Sequence, residues 1–166
     1  MVILPILIFA SSGSADCLAP VSAKQAHVSS HFGFRHRLGQ DDNHRGADIV
    51  AVKGSPIKNL FSGEVIQVLS GKKGNHLYVA SKHPRHGVML LVYSHLDKVL
   101  VELGQKISAG DVLGTVGATG TDEGPHLHLG VGILKGAPGK EKVRWSDPYK
   151  AINLCRYEYR HHDYKR

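Results

Sequence analysis

Two histidines, His126 and His128, stand one residue apart in the segment GPHLHLG, with Leu127 between them and Leu129 after them. A strand repeats every two residues, so both imidazoles fall on one face and both leucines on the other. A half-exposed strand can show two histidines to water with no chemistry intended. Two imidazoles side by side are also what a metal or proton-transfer site needs, and the choice turns on partners elsewhere. One set of partners lies in NHRGADIV (43–50), where His44 and Asp48 are four residues apart and share a face of either an extended segment or one helical turn. Gly46 between them disfavours a regular helix, so a loop leading into a strand is expected. Imidazole and carboxylate both ligate zinc. A second imidazole brings the set to three, the catalytic pattern that leaves a position for water. A further histidine, His95, ends the strongly apolar LLVYSHLDKV (90–99). Taken alone, it reads as a strand-end or core histidine.

The elements able to carry these residues are strands. AHVSSHFGF (26–34), GEVIQVLS (63–70), HLYVAS (76–81), VMLLVYSHL (88–96), DVLGTVG (111–117) and HLHLGVGIL (126–134) are β-branched or alternating, and most are bounded by Gly, Pro, Asn or Ser. No segment before residue 145 shows a helical stripe with caps. One short helix is expected within SDPYKAINL (146–154), with Ser146 or Asp147 as N-cap and a proline early in its first turn. The pattern predicts an all-β fold, a single domain of antiparallel sheets with little helix.

At 166 residues, 42% hydrophobic and 21% charged, the chain is long enough for one domain with a real core. Lys and Arg outnumber Asp and Glu by 21 to 14, a formal +7. That balance suits a polyanionic partner (nucleic acid, a membrane face or an acidic wall polymer) without choosing among them. GTVGATGTDEGP (114–125) lacks the G-K-[ST] ending of a phosphate-binding loop, so its glycines are read as turn formers. QDDNHRG has too few correctly spaced acids for an EF-hand. His83 and His86 flank a proline in a turn, and SGKKG (70–74) reads as a basic hairpin turn. His161 and His162 fall in RYEYRHHDYKR, read as an exposed charged tail over 156–166.

Val2 to Ala10 form an apolar run of nine, too short to span a bilayer but suited to the core of a signal peptide. Gly13 and Ala15 would then sit at −3 and −1 of a cut before Asp16. Residues 1–15 are expected as a signal peptide and 16–155 as the folded domain, giving an exported, periplasmic or extracellular protein with no transmembrane anchor in its mature chain. No Lys or Arg precedes the apolar run, and the alternative is an N-terminal strand packed on the domain. Export bears on the two cysteines. In an oxidising compartment Cys17 and Cys155 would pair and close a loop of more than a hundred residues, a constraint nominally worth about 4–5 kcal/mol.

In order and wording these segments resemble the lysostaphin/LytM-type zinc metallopeptidases that cut peptide bonds in bacterial peptidoglycan. The resemblance spans about Val28 to Ile152. It begins with VSSHFGFRH and HRGADIVAVKGSPIKNLFSGEVIQV and continues through GNHLYVASKHPRHGVMLLVYSHL. It closes with VELGQKISAGDVLGTVGATGTDEGPHLHLGV and WSDPYKAI. The resemblance implies one Zn²⁺ held by His44, Asp48 and His128, with His126 and His95 as active-site histidines that are not ligands. It implies an antiparallel β core whose loops wall a narrow groove over the metal, and it places Arg35 facing that groove, where a guanidinium could bind a stem-peptide carboxylate. Leu129 and Gly130 replace the larger, often acidic residues that commonly follow the second histidine in the family.

The function so implied is zinc-dependent endopeptidase action on peptide cross-links or stem-peptide bonds of peptidoglycan, by a monomer, with no nucleic acid partner expected. The alternative is a non-catalytic zinc-binding or activator module on the same scaffold that regulates other wall hydrolases. The chain has no H-E-x-x-H motif, so no neighbouring glutamate supplies the usual base. Imidazole, with an ordinary pKa near 6.5, can take that proton. His95 and His126 are therefore assigned jointly to activating water and stabilising the tetrahedral oxyanion, with the division between them left open.

Overall fold

The computed structural model describes residues 17–22, 26–37, 40–136 and 140–159. The expected signal peptide, and His161 and His162, lie outside the described residues. In chain order the strands are β1 (His27–Ser30), β2 (Gly33–Arg37), β3 (Gln40–His44), β4 (Gly46–Val50), β5 (Pro56–Lys58), β6 (Gly63–Leu69), β7 (His76–His83) and β8 (Gly87–Ser94). They continue as β9 (Leu96–Val99), β10 (Lys106–Ile107), β11 (Val112–Val116), β12 (His126–Lys135) and β13 (Lys142–Ser146), followed by helix α1 (Pro148–Ile152) and β14 (Glu158–Tyr159). The all-β expectation holds.

The main sheet runs β10-β6-β7-β8-β12-β4-β1-β14, with β13 beside the second half of β12. Its pairings are antiparallel except β1 with β14. A smaller sheet of β5, β11 and β9 and a β2–β3 hairpin complete the fold. β12 organises it, because Leu127, Leu129 and Val131 are wholly buried among Ile49, Leu91 and Tyr93. Each such side chain contributes roughly 1.5–3 kcal/mol of burial. The residues between them, His126, His128, Gly130 and Gly132, take the other face.

Three segments differ from the sequence reading. The stretch 26–34 divides into β1 and β2, since β1 stays in the main sheet against β4 while β2 leaves it to pair with β3. The stretch 88–96 breaks at His95, which adopts φ 66° between β8 and β9. The stretch 43–50 is strand almost throughout, divided only at Arg45 between β3 and β4, because its residues are paired on both sides of that point.

The C-terminal region packs more than its charge suggested. Asp147 caps α1, its Oδ1 accepting from the Tyr149 N–H at 3.0 Å, and Pro148 opens the helix. Cys17 and Cys155 are joined by a disulfide across a separation of 138 residues, and Leu18 bridges Leu154 beside it. Tyr157 is buried, its hydroxyl donating to the Val21 carbonyl at 2.8 Å, and β14 pairs with β1. The start of the segment 156–166 is thus part of the sheet rather than an exposed tail. Among the described residues no helix is long and apolar enough to cross a membrane.

Candidate active site and metal centre

Register alone draws one row of side chains across the main sheet. His76 of β7 pairs with Ser94 of β8, Ser94 with His128 of β12, His128 with Asp48 of β4, and Asp48 with Ser30 of β1. Paired residues point to the same face. His126 stands two residues along β12 on that face, and His44 arrives from the end of β3. From His76 to Asp48 the row floors a cavity of about 360 Å³ whose lining also includes Arg35, His95, Glu123 and Trp145.

His44, Asp48 and His128 converge. His44 Nε2 lies 3.1 Å from Asp48 Oδ1 and 2.9 Å from His128 Nδ1, and His128 Nδ1 lies 2.9 Å from the same Asp48 oxygen. A carbonyl can only accept, so His44 Nδ1 donates its N–H to the His31 carbonyl at 2.8 Å. That leaves Nε2 turned toward Asp48 Oδ1, where it can donate when the ring is protonated or ligate a metal when its lone pair is free. Burial would raise the Asp48 carboxyl, but its hydrogen bonds and charge interactions with His128 and His44 outweigh that and hold it well below the usual carboxylate range. Two imidazole nitrogens and a carboxylate oxygen mutually about 3 Å apart can share either a proton or a metal cation between them. Tetrahedral zinc with bonds of about 2.0–2.1 Å sets its ligands roughly 3.3 Å apart, so these donors fit the metal closely.

The remaining two histidines are held differently. His126 Nδ1 donates to the Gly124 carbonyl at 2.9 Å, and His95 Nδ1 donates to the Thr119 carbonyl at 2.8 Å. Each ring therefore keeps Nε2 as its basic nitrogen. Their ring centroids are 4.7 Å apart, and His126 Nε2 is 4.0 Å from Asp48 Oδ1. Burial, with the neighbouring rings of His126 and His128, pushes His95 below the ordinary imidazole value against the opposing pull of Thr119 and Asp48. The shift favours the neutral ring, the form that accepts a proton. Its left-handed backbone is a conformation histidine enters more readily than most residues, and it turns the ring away from the line of β8.

Arg35 reaches the cavity but is already engaged. Its Nε and Nη2 donate to Asp42 at 2.8 Å, and Nη1 donates to Ser30 Oγ at 2.8 Å and to Asp48 Oδ2 at 3.3 Å. Two nitrogens of the fork are spent on Asp42 and the third on Ser30 and Asp48. Sequence reasoning also placed no glutamate at the candidate site, whereas Glu123 lines the cavity, with its ligand atom within 4.8 Å of those of Asp48 and His126. Its position in a glycine-flanked loop gave no periodic signal. His76 and Trp145 were missed as well, being ordinary strand residues until the register is known.

The sheet face of this all-β domain thus presents two histidines and an aspartate that could hold a metal ion, inside a cavity. The profile of Peptidase family M23 matches residues 42–140, and the chain belongs to that family. It is 38% identical over 104 residues to the peptidoglycan DD-endopeptidase ShyC of Vibrio cholerae, covering 61% of this chain and 23% of that protein. Among solved structures it is similar to a variant catalytic domain of the prophage-encoded M23 protein EnpA from Enterococcus faecalis, with 29% identity, a TM-score of 0.58, and coverage of 75% of this chain and 92% of that one. It is also similar to a zinc-containing peptidase from Vibrio cholerae, with 30% identity, a TM-score of 0.60, and coverage of 80% of this chain and 38% of that one. The chain spans about a quarter of the length of the curated relatives it matches.

Proposed function

We propose that this chain is an exported zinc endopeptidase that hydrolyses peptide cross-links or stem-peptide bonds of peptidoglycan. The observation that carries the reading is the convergence of His44, Asp48 and His128 beside two further histidines whose Nδ1 atoms are both tied to carbonyls. A zinc ion held by His44, Asp48 and His128 would supply Lewis acidity, polarising the scissile carbonyl and bringing the pKa of water to about 7. The rest is work for the protein's own groups. His95 and His126 both offer Nε2 to the one proton that the attacking water gives up, since Nδ1–H is committed in each. The resulting imidazolium returns it to the departing amine and meanwhile faces the oxyanion with a donor N–H. Arg35 fixes the Asp48 carboxylate through Oδ2, leaving Oδ1 toward His44 and His128. The Cys17–Cys155 disulfide supports export to an oxidising compartment.

The test is incubation of the purified chain with peptidoglycan sacculi, with and without chelator, followed by mass analysis of released fragments. Chelator-sensitive release of cross-link fragments is expected. Zinc binding without any release would favour the non-catalytic module instead.

A further inference from the structure

Trp145 borders two cavities. On one side it lines the cavity of the histidines, and on the other it lines a second cavity of about 420 Å³ together with Phe32, His86, Arg144 and Lys150. Its seat is built into β12. Register sets Trp145 opposite Gly132, on the face shared by His126, His128 and Gly130. A Cβ on Gly130 would approach Trp145 Cζ3 to 3.1 Å, and one on Gly132 would meet Val143 Cγ1 at 2.6 Å. The two glycines, one of them the departure at position 130 noted in the sequence, are what let β13 lay its side chains flat over the strand that carries the histidines. Arg144 alternates to the opposite face. The second cavity therefore lies around the edge of β13, beside α1.

The charge of this second cavity is mainly positive, Arg144 and Lys150 against the single carboxylate of Asp147. Arg144 and Lys150 are exposed, and neither forms an ion pair among the described residues. His86 is half-buried, its Nε2 donating to the Ala151 carbonyl at 3.0 Å. The carboxylate in the lining, Asp147, has Oδ1 occupied as the N-cap of α1. Two unpaired cations beside two aromatic faces match a peptide that carries a carboxylate on an otherwise apolar backbone.

We propose that this cavity is a subsite for a carboxylate-bearing peptide segment of the substrate, the part of the wall polymer that continues past Trp145 from the bond being cut. This rests on the endopeptidase reading above. The segment's carboxylate pairs with Arg144 and Lys150 while its chain lies against Trp145 and Phe32.

Co-sedimentation with sacculi tests it, using the His126→Ala chain so that the wall is not degraded. That chain is compared with one also carrying Arg144→Glu and Lys150→Glu, on native sacculi and on sacculi whose carboxyls have been amidated. The expected result is binding weakened about tenfold or more by the double reversal. Amidation should weaken the parent to the same level and leave the reversed chain unaffected. Reversal of Lys58 and Lys106, exposed and outside both cavities, should have little effect. Unchanged binding after reversal of Arg144 and Lys150 overturns the proposal. So does a loss that persists on amidated sacculi, which marks a different anion, or an equal loss with the Lys58 and Lys106 reversals, which marks unspecific charge. The Arg144→Gln, Lys150→Gln pair should melt like the parent and still lose binding, which separates the subsite from misfolding. Sedimentation reads no turnover. Failure of the endopeptidase reading would show separately, as absence of fragment release by the unaltered chain.

Discussion

His128 and Asp48 stand opposite each other in the β12–β4 ladder, with Nδ1 2.9 Å from Oδ1. The contact is thus fixed by strand pairing rather than by loop conformation. A slip of one residue would send His128 to the core face and Leu129 into the cavity. The wholly buried leucines on the reverse of β12 hold that register.

Metal binding should follow the three converging donors. The intact chain is expected to hold about one zinc, measured by elemental analysis after dialysis, and His44→Ala or His128→Ala should lose most of it. Full occupancy in either variant would sink the ligand assignment.

His95→Ala and His126→Ala should each fold and retain zinc, while turnover on sacculi falls about 10²–10⁴-fold. Combining them should cost little more than either alone if both act at one reacting centre. Wild-type cleavage by either single variant would return that histidine to a packing role.

Removing Arg35 should act through Asp48. Arg35→Ala takes away the donor to Oδ2 and is expected to cost about 10–100-fold in metal affinity. Arg35→Lys should restore only part, because an ammonium cannot hold Asp42, Ser30 and Asp48 at once. Competition with a zinc chelator gives the numbers, and an unshifted affinity for Arg35→Ala would leave the residue to substrate alone.

The disulfide should matter for stability rather than chemistry. Replacing Cys17 and Cys155 together with serine is expected to cost about 2–5 kcal/mol in a denaturant titration. The variant should keep its zinc below the unfolding transition. Coincident titrations would deny the bridge its role.

Alkali should unfold the protein through its buried phenols. Burial pushes Tyr157 and Tyr149 up to about 12, and Tyr93 further still. Above pH 10 the unfolded chain releases these protons while the folded chain keeps them, so the unfolded state binds fewer and stability falls as pH rises. The loss should begin near pH 10 and run through pH 12, read by tyrosinate absorbance alongside circular dichroism. Tyr157→Phe should flatten the slope. A stability that stayed level across that interval would contradict the burial.

Much of the fold was legible because its signals are local. The alternation in 126–134 and 63–70 predicts β12 and β6 within a residue or two, and Asp147 with Pro148 announces α1. His44 with Asp48, and His126 with His128, were legible as two pairs, since even spacing fixes a shared face; only the family resemblance joined the pairs into one site. His95 was legible as polar among apolar neighbours, but not as a residue at φ 66°, because the turn depends on β9 joining β11 in a second sheet.

The sequence by itself determined which residues could do the chemistry, because residue type and period-two spacing are properties of short stretches. Tertiary structure decided which of them meet. The row from His76 to Ser30 joins strands far apart in the chain, and pairing partners are chosen by the packing of a shared core. The same holds for Arg35, whose guanidinium had no readable partner until β2 and β4 were folded to within hydrogen-bond reach of each other. It holds also for Glu123 and Trp145, which are anonymous along the chain and become neighbours of the histidines only through the loop before β12 and the strand beside it. Spacing along a strand is set by covalent geometry. Proximity across strands is set by burial, and burial is a property of the whole chain.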